Sequence, residues 1–257
     1  MYQNYIFDLY GTLADIRTNE DSPYLWRKMS DIYSALGAGY SARELKLEYK
    51  RLVREAVEQA ARKLTEGDAW QRLYGEGDPE TAKMHAEPDI TEVFAVLYRE
   101  KGVRCDRELA RFTAVTFRTL SRMRLGLYDG VIDLLENLRA KGKGVYLLSN
   151  AQEDFTRPEL DKLGLTPYFD GILISSEEGV KKPSPLFFQR LLERYGLDPA
   201  SCIMIGNDQY SDIAGAKAVG MACLYIHTEI SPQVTGEVEA DHLVMDGVFR
   251  KIRGLIC

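Results

Sequence analysis

Short apolar runs of strand length recur along the chain at residues 5–9, 145–148, 171–174, 202–205, 221–226 and 243–245. Between the later runs, apolar residues fall three and four apart, as in Val131, Leu134, Leu135 and Leu138, and again in Leu186, Phe187, Leu191, Leu192 and Tyr195. That spacing is the period of a helix with one buried face. Strands alternating with helices predict an α/β core, a Rossmann-like parallel sheet covered on both faces with its reactive groups at the carboxyl ends of the strands. From about residue 16 to residue 125 the rhythm changes, and only helical patterns are legible: Leu45, Tyr49, Leu52, Val53 and Ala56; Ile90, Val93, Phe94 and Leu97; Leu109, Phe112, Thr116 and Leu120. The chain therefore reads as a core of residues 1–15 and 126–257 with an inserted all-helical cap domain, residues 16–125. Such an insertion leaves a strand's carboxyl end and so lies over the site. Gly75-Glu76-Gly77-Asp78-Pro79 reads as a loop by its turn chemistry, and no repeat or low-complexity segment interrupts the pattern.

With 257 residues, of which 45% are hydrophobic and 28% charged, the chain can bury a sizeable core. A net charge of -6 and a pI near 5.3 exclude nucleic acid and membrane as partners held by bulk electrostatics, because either needs a positive surface. Any phosphate specificity must then be local. Cys105, Cys202, Cys223 and Cys257 have no CxxC spacing and read as free thiols of a reducing compartment. The first five residues carry no basic lead, and no run approaches the roughly 18 to 20 apolar residues of a membrane span. A cytoplasmic protein is expected, with the oligomeric state left open.

Four clusters carry candidate chemistry. Asp8-Leu9-Tyr10-Gly11-Thr12-Leu13 follows the first apolar run. A carboxylate there, beside a Gly-containing turn, points an anion and backbone N–H groups into the crevice, which suits a nucleophile; a turn Asp capping its own loop is the alternative. Ser149 and Asn150 end the run at 145–148, where a hydroxyl donates to a substrate oxygen or caps a helix. Val180-Lys181-Lys182-Pro183-Ser184-Pro185 holds Lys182 on a stiff segment ahead of a helix, where its ammonium either neutralises developing charge or is merely solvated. Ile205-Gly206-Asn207-Asp208, with Asp212 four residues on, supplies two carboxylates suited to Mg²⁺, or else an N-cap with an acidic neighbour.

Together and in this order, DxxGTL, a serine after a strand, KPxP and GNDxxxD strongly resemble the haloacid dehalogenase superfamily. The resemblance implies a Rossmann-like core with a helical cap after the first motif. It implies Asp8 as nucleophile, Ser149 as donor to a substrate oxygen, and Lys182 as the charge-stabilising lysine. Mg²⁺ would be held by Asp8, the main-chain carbonyl of Tyr10 and Asp208, with Asp212 as the supporting acid. Gly11, Thr12, Ser149, Asn150 and Lys182 are the expected substrate contacts, with Asp8, Tyr10, Ser149 and Lys182 as the catalytic set.

One position departs from the family's phosphatases. Two residues after the nucleophile they carry a second Asp that protonates the leaving alcohol, and here that residue is Tyr10. Tyrosine there is similar to the dehalogenases, whose halide leaves without a proton. The acidic pair points the other way, because halide displacement needs no metal and two extra carboxylates beside Asp8 need a cation. The expected activity is therefore Mg²⁺-dependent hydrolysis of a small phosphorylated metabolite through an aspartyl-phosphate. A 2-haloacid dehalogenase and a non-catalytic phosphate-binding module are the alternatives. Of the remaining residues, His85, His227 and His242 are expected at the surface or a strand edge, Glu177-Glu178 in solvent, Arg17 and Arg27 at the surface, and many of the 15 tyrosines along the seam between cap and core.

Overall fold

The computed structural model of the protein describes residues 2–75 and 79–256. Residues 76–78 of the expected loop, and Cys257, lie outside the described residues.

Along the chain the strands are β1 (Asn4–Phe7), β2 (Ala14–Thr18), β3 (Arg122–Leu127), β4 (Gly144–Ser149), β5 (Gly171–Ile174), β6 (Cys202–Gly206), β7 (Ala222–Ile226) and β8 (His242–Val244). Six of them form one sheet in the order β5-β4-β1-β6-β7-β8, every pair parallel. β1 lies at its centre, with β4 on one side and β6 on the other, so the three strands bearing the first, second and fourth motifs are neighbours. The period-two alternation of β1 divides its side chains between two cores. Tyr5 and Phe7 pack with α7 (Val131–Ala140), α8 (Glu153–Lys162) and α12 (Phe249–Ile256), while Ile6 packs with α10 (Pro185–Tyr195) on the opposite face. The short helix α9 (Ser175–Glu178) follows β5 and packs against α8, and α11 (Gly215–Ala218) adds Ala216 to the α10 layer. Layers on both faces explain why the strands read as continuous apolar runs rather than alternating ones.

Between β2 and β3 stand the inserted helices α1 (Pro23–Ala35), α2 (Ala42–Thr65), α3 (Asp68–Tyr74), α4 (Pro79–His85), α5 (Ile90–Glu100) and α6 (Arg107–Ser121). Local chemistry sets their starts. Ser41 and Glu44 form a capping box on α2, and the side chains of Asp89 and Asp106 cap α5 and α6. The insertion buries its apolar stripes in two places. α1, α5, α6 and the first half of α2 form a cluster around Phe117, joined by Phe155 of α8, in which the Phe117 ring centroid lies 5.2 to 5.6 Å from those of Phe94, Tyr49 and Trp26. Ala61 and Leu64 of α2, Trp70 of α3 and Ala82 of α4 instead join the α10 face of the core.

Several expectations change. β2 and β3 form an antiparallel ribbon, pairing Ile16 with Leu125, where the sequence suggested no strand between residues 16 and 125. Both strands are short, Arg122, Met123 and Arg124 remain largely outside the core, and a bulge falls between Arg17 and Thr18, so neither leaves a strong apolar signature. The divisions at 15/16 and 125/126 fall within this ribbon. β1 ends at Phe7 rather than residue 9, because Leu13 and Ala14 N–H turn back to the Leu9 carbonyl. His85 is buried against Trp70 and Tyr74 instead of lying at the surface. Glu178 is held by Arg190 and Arg194 rather than by solvent. Tyr33, Tyr40, Tyr49 and Tyr98 pack in the cluster of the inserted helices. Cys105, Cys202 and Cys223 are free, as expected. Among the described residues, no helix is long and apolar enough to cross a membrane.

Truncating Phe117 to Ala should remove the centre of the inserted cluster and cost about 3 to 5 kcal/mol. Urea unfolding followed by tryptophan fluorescence measures this, because Trp26 lies against the ring.

Candidate active site

The central strands deliver the candidate groups to one edge of the sheet. Asp8 follows β1, and its N–H still donates to the Ile205 carbonyl at 2.9 Å, which carries sheet geometry one residue beyond the strand. The chain then turns sharply at Gly11, where φ is +87° and an added Cβ would stand 2.3 Å from Asn207 Nδ2. Only glycine meets both demands. Within this turn Gly11 N–H donates to the Ala14 carbonyl at 2.8 Å and Thr12 N–H to Leu9 at 3.3 Å. That corrects the expectation of a free N–H cradle at these two residues, because the turn closes on itself. Thr12 Oγ1 instead donates to Asp8 Oδ2 at 3.1 Å.

At the centre is a charge sandwich. Lys182 Nζ lies 2.7 Å from Asp8 Oδ1 and 2.7 Å from Asp212 Oδ1, with the lysine only 2% exposed. Burial opposes the ammonium's charge, but the Asp212 and Asp8 carboxylates outweigh it and hold Lys182 above the ordinary lysine value. Burial pushes the Asp212 carboxyl up to about 7 against the pull of Lys182, with the Asp8 charge adding to the rise. The other oxygen, Asp212 Oδ2, accepts from Asp208 N–H at 2.9 Å. Asp212 reaches this position because residues Gln209–Ala214 form a π-helical turn rather than a regular α-helical one.

The backbone of Lys182 is clamped as firmly as its tip. Lys182 N–H donates to Asn150 Oδ1 at 2.8 Å, and Asn150 Nδ2 donates to the Lys182 carbonyl at 2.9 Å. Ser149 Oγ, fully buried at the end of β4, has no hydrogen-bond partner among the described residues. Asp8, Tyr10, Asn150, Lys182, Asp208 and Asp212 line a pocket of about 210 Å³ together with Ile230 and Pro232.

Tyr10 directs its hydroxyl away from this chemistry. The O–H donates to Glu159 Oε2 at 2.5 Å and lies 3.1 Å from Thr156 Oγ1. Burial and the Glu159 charge hold the phenol well above its usual value. Burial alone would raise the Glu159 carboxyl, but Arg118, with Tyr10 and Arg122, brings it below the ordinary carboxylate range. Sequence reading missed Glu159 and its arginines; the four-residue spacing of Arg118 and Arg122 was the available hint of a shared acceptor.

The donor set can be tested for Mg²⁺. Among the described residues, no three His, Cys, Asp or Glu side chains converge as a metal cluster. Asp208 Oδ1 caps its own turn by accepting from Tyr210 and Ser211 N–H, so the capping role considered for it is real, and Oδ2 remains. Both Asp212 oxygens are engaged and the residue is only 1% exposed. The Asp8 oxygens also accept, from Lys182 and Thr12 Oγ1, but Asp8 is 8% exposed and lines one pocket with Asp208 and Tyr10. One or two carboxylates, a carbonyl and retained water fit the oxygen-rich octahedral preference of Mg²⁺. Lys182→Met would leave two buried carboxylates without their ammonium. A stability loss of about 3 to 5 kcal/mol is expected, to be read from denaturant unfolding without added metal.

Comparison with known proteins gives the family and the fold. Residues 2–220 match the family described as hydrolase, haloacid dehalogenase-like hydrolase. The chain is 30% identical over 164 residues to the phosphoserine phosphatase of Thermus thermophilus, covering 64% of this chain and 64% of that enzyme. It is 28% identical over 134 residues to the glyceraldehyde 3-phosphate phosphatase of Methanothermobacter thermautotrophicus, covering 52% and 57%. The chain thus spans less than two thirds of the length of these curated relatives. The fold is similar to that of 2-haloacid dehalogenase from Pseudomonas syringae pv. Tomato, with a TM-score of 0.65 at 19% identity over 99% of this chain and 98% of that one. The family match runs through the first motif, the inserted helices and the acidic pair, so the chain belongs to the haloacid dehalogenase-like hydrolases.

Proposed function

We propose that the protein is a Mg²⁺-dependent phosphohydrolase that acts on a small phosphorylated metabolite through an aspartyl-phosphate on Asp8, with residues 16–125 as a cap over the pocket. The observation that carries this reading is the single Lys182 ammonium set between Asp8 and Asp212, with Asp208 in the same pocket. Three carboxylates against one cation leave a negative surplus that a divalent ion balances, and halide displacement has no use for the second and third. Phosphatases among the sequence relatives support the same reading. A cytoplasmic location accompanies it, in keeping with the free thiols.

Asp8, Asp208 and the Tyr10 carbonyl would hold the ion, which supplies charge neutralisation at the phosphoryl oxygens. An Asp8 oxygen attacks phosphorus, and its O–P bond forms as the bond from phosphorus to the leaving oxygen breaks. Lys182 and the unpartnered Ser149 hydroxyl balance charge on the transferring group. Thr12 Oγ1 and Lys182 fix the two Asp8 oxygens and so set the angle of attack. Water then attacks the same phosphorus, the bond to Asp8 breaks, the carboxylate is restored, and inorganic phosphate leaves with the proton passed to solvent. Tyr10 donates to Glu159, so no acid stands ready at that position for the leaving oxygen. Leaving groups already stable as anions are favoured, namely aryl and acyl phosphates.

Steady-state assays compare p-nitrophenyl phosphate with a simple alkyl phosphate. The aryl ester should be faster in kcat/KM by about 10²- to 10⁴-fold, the usual contribution of a positioned acid. Equal rates reject the assignment of Tyr10, and turnover that survives Asp8→Asn rejects the nucleophile.

Tyr10 also favours a second reading, a 2-haloacid dehalogenase in which Asp8 attacks carbon and halide leaves unprotonated. Chloride release from 2-chloropropionate in the presence of EDTA separates the two. The phosphohydrolase predicts none, together with loss of p-nitrophenyl phosphate turnover on chelation.

A further inference from the structure

The loop that carries Lys182 is fastened to the inserted helices as well as to the sheet. Segment 85–87, the link from α4 towards α5, runs antiparallel to residues 179–181, with Ala86 opposite Val180. Lys181 N–H donates to the His85 carbonyl at 2.8 Å, and Glu87 N–H donates to the Gly179 carbonyl at 3.2 Å. Ala86 and Val180 are fully buried. Farther along, the Tyr74 and Ser184 hydroxyls are 3.1 Å apart. The chain is thus held from the cap on both sides of Lys182, through its backbone before the lysine and through the Ser184 side chain after it.

The same cap segment is held in turn by one core side chain. Gln152, 8% exposed, stands two residues beyond the Asn150 that clamps Lys182. Its Oε1 accepts from Ile90 N–H at 2.9 Å, and its Nε2 donates to Glu87 Oε1 at 2.9 Å and to the Pro88 carbonyl at 3.0 Å. One short loop after β4 therefore grips the lysine loop through Asn150 and the cap segment through Gln152, while lysine loop and cap segment pair directly. The ring of contacts is closed, and its output is the location of one ammonium, 2.7 Å from each of two carboxylates.

We infer that Gln152 is a positioning residue for Lys182: by fastening segment 87–90 it fixes the cap strand against which residues 179–181 are paired, and so sets where the ammonium meets Asp8 and the reacting group. The Gln152 side chain bonds Ile90, Glu87 and Pro88 and touches none of the reacting atoms. The inference rests on the proposed use of Lys182 in turnover, but not on whether phosphorus or carbon is attacked.

The test uses the full chain with p-nitrophenyl phosphate and Mg²⁺. Gln152→Ala removes three hydrogen bonds from the segment. Displacing a catalytic group by about 1 Å is enough for up to 10²-fold, so a fall in kcat of about 10-fold is expected with KM within about twofold of wild type. Gln152→Glu should be worse, because it places a second carboxylate against Glu87. The double variant Gln152→Glu with Glu87→Gln restores the hydrogen bond between positions 87 and 152 with donor and acceptor exchanged, but not the one to the Pro88 carbonyl, and should recover part of the kcat lost in Gln152→Glu. Hydrogen exchange supplies a readout independent of activity: the Lys181 amide should exchange faster in Gln152→Ala and return towards wild type in the double variant. In a Lys182→Ala background the Gln152→Ala change should have no further effect on residual turnover, because its route runs through the lysine. An unchanged kcat in Gln152→Ala, or an equal loss with and without Lys182, overturns the inference. Failure of the phosphohydrolase reading looks different, since the wild-type chain itself would then not turn over the ester.

Discussion

One buried ammonium sets the terms for this site. Lys182 brings a positive charge into a place from which water is nearly excluded, and it is stable there only because Asp8 and Asp212 each supply a hydrogen-bonding oxygen. Removing charges from water costs several kcal/mol each, and their attraction offsets this only when the geometry is held. Much of the neighbouring sequence can be understood as holding it. Gly206 is required because an added Cβ would stand 2.2 Å from Asp212 Oδ2, and Gly215 because one would stand 2.4 Å from Phe188. The π-helical turn brings Asp212 back towards Asp208, and Asn150 ties the lysine's own peptide group in two directions.

The joint between inserted helices and core is electrostatic on one side and apolar on the other. Along α8, Asp154 receives Arg107, Arg111 and the Thr91 hydroxyl, and Glu159 receives Arg118 and Arg122. Both carboxylates are largely buried, so each needs its arginines, and each arginine carries the inserted segment with it. Tyr10 belongs to this joint through Glu159. It ties the turn after β1 to α8, and under the proposed chemistry the same hydrogen bond leaves no proton donor at that position.

The core was readable because its strands are buried on both faces, which leaves uninterrupted apolar runs, and because each run ends in a polar residue that has no packing reason to be there. Asp8, Ser149 and Asp208 could be read in this way, and Lys182 through the prolines around it. The ribbon of β2 and β3 left no such trace, since its exposed positions are arginine, threonine and methionine and its pairing partners lie more than a hundred residues apart. Glu159 and Gln152 were silent for a different reason. Each is an ordinary helix or loop residue whose meaning comes from partners on distant segments, and no local period records those partners. His85 was misjudged because a histidine's burial depends on which rings surround it, and Trp70 and Tyr74 reach it only through tertiary packing.

The longest helix has a mechanical consequence. α2 extends about 36 Å at 1.5 Å per residue. Its first half is rooted in the inserted cluster at Leu45, Tyr49 and Leu52, and its last turns in the catalytic core at Ala61 and Leu64. The insertion is therefore not a flap hung on two thin tethers. It has a rigid spar embedded in both bodies, so any movement of the insertion against the core must flex this rod or slide its far end across the α10 surface, beside the ring of hydrogen bonds that seats the lysine.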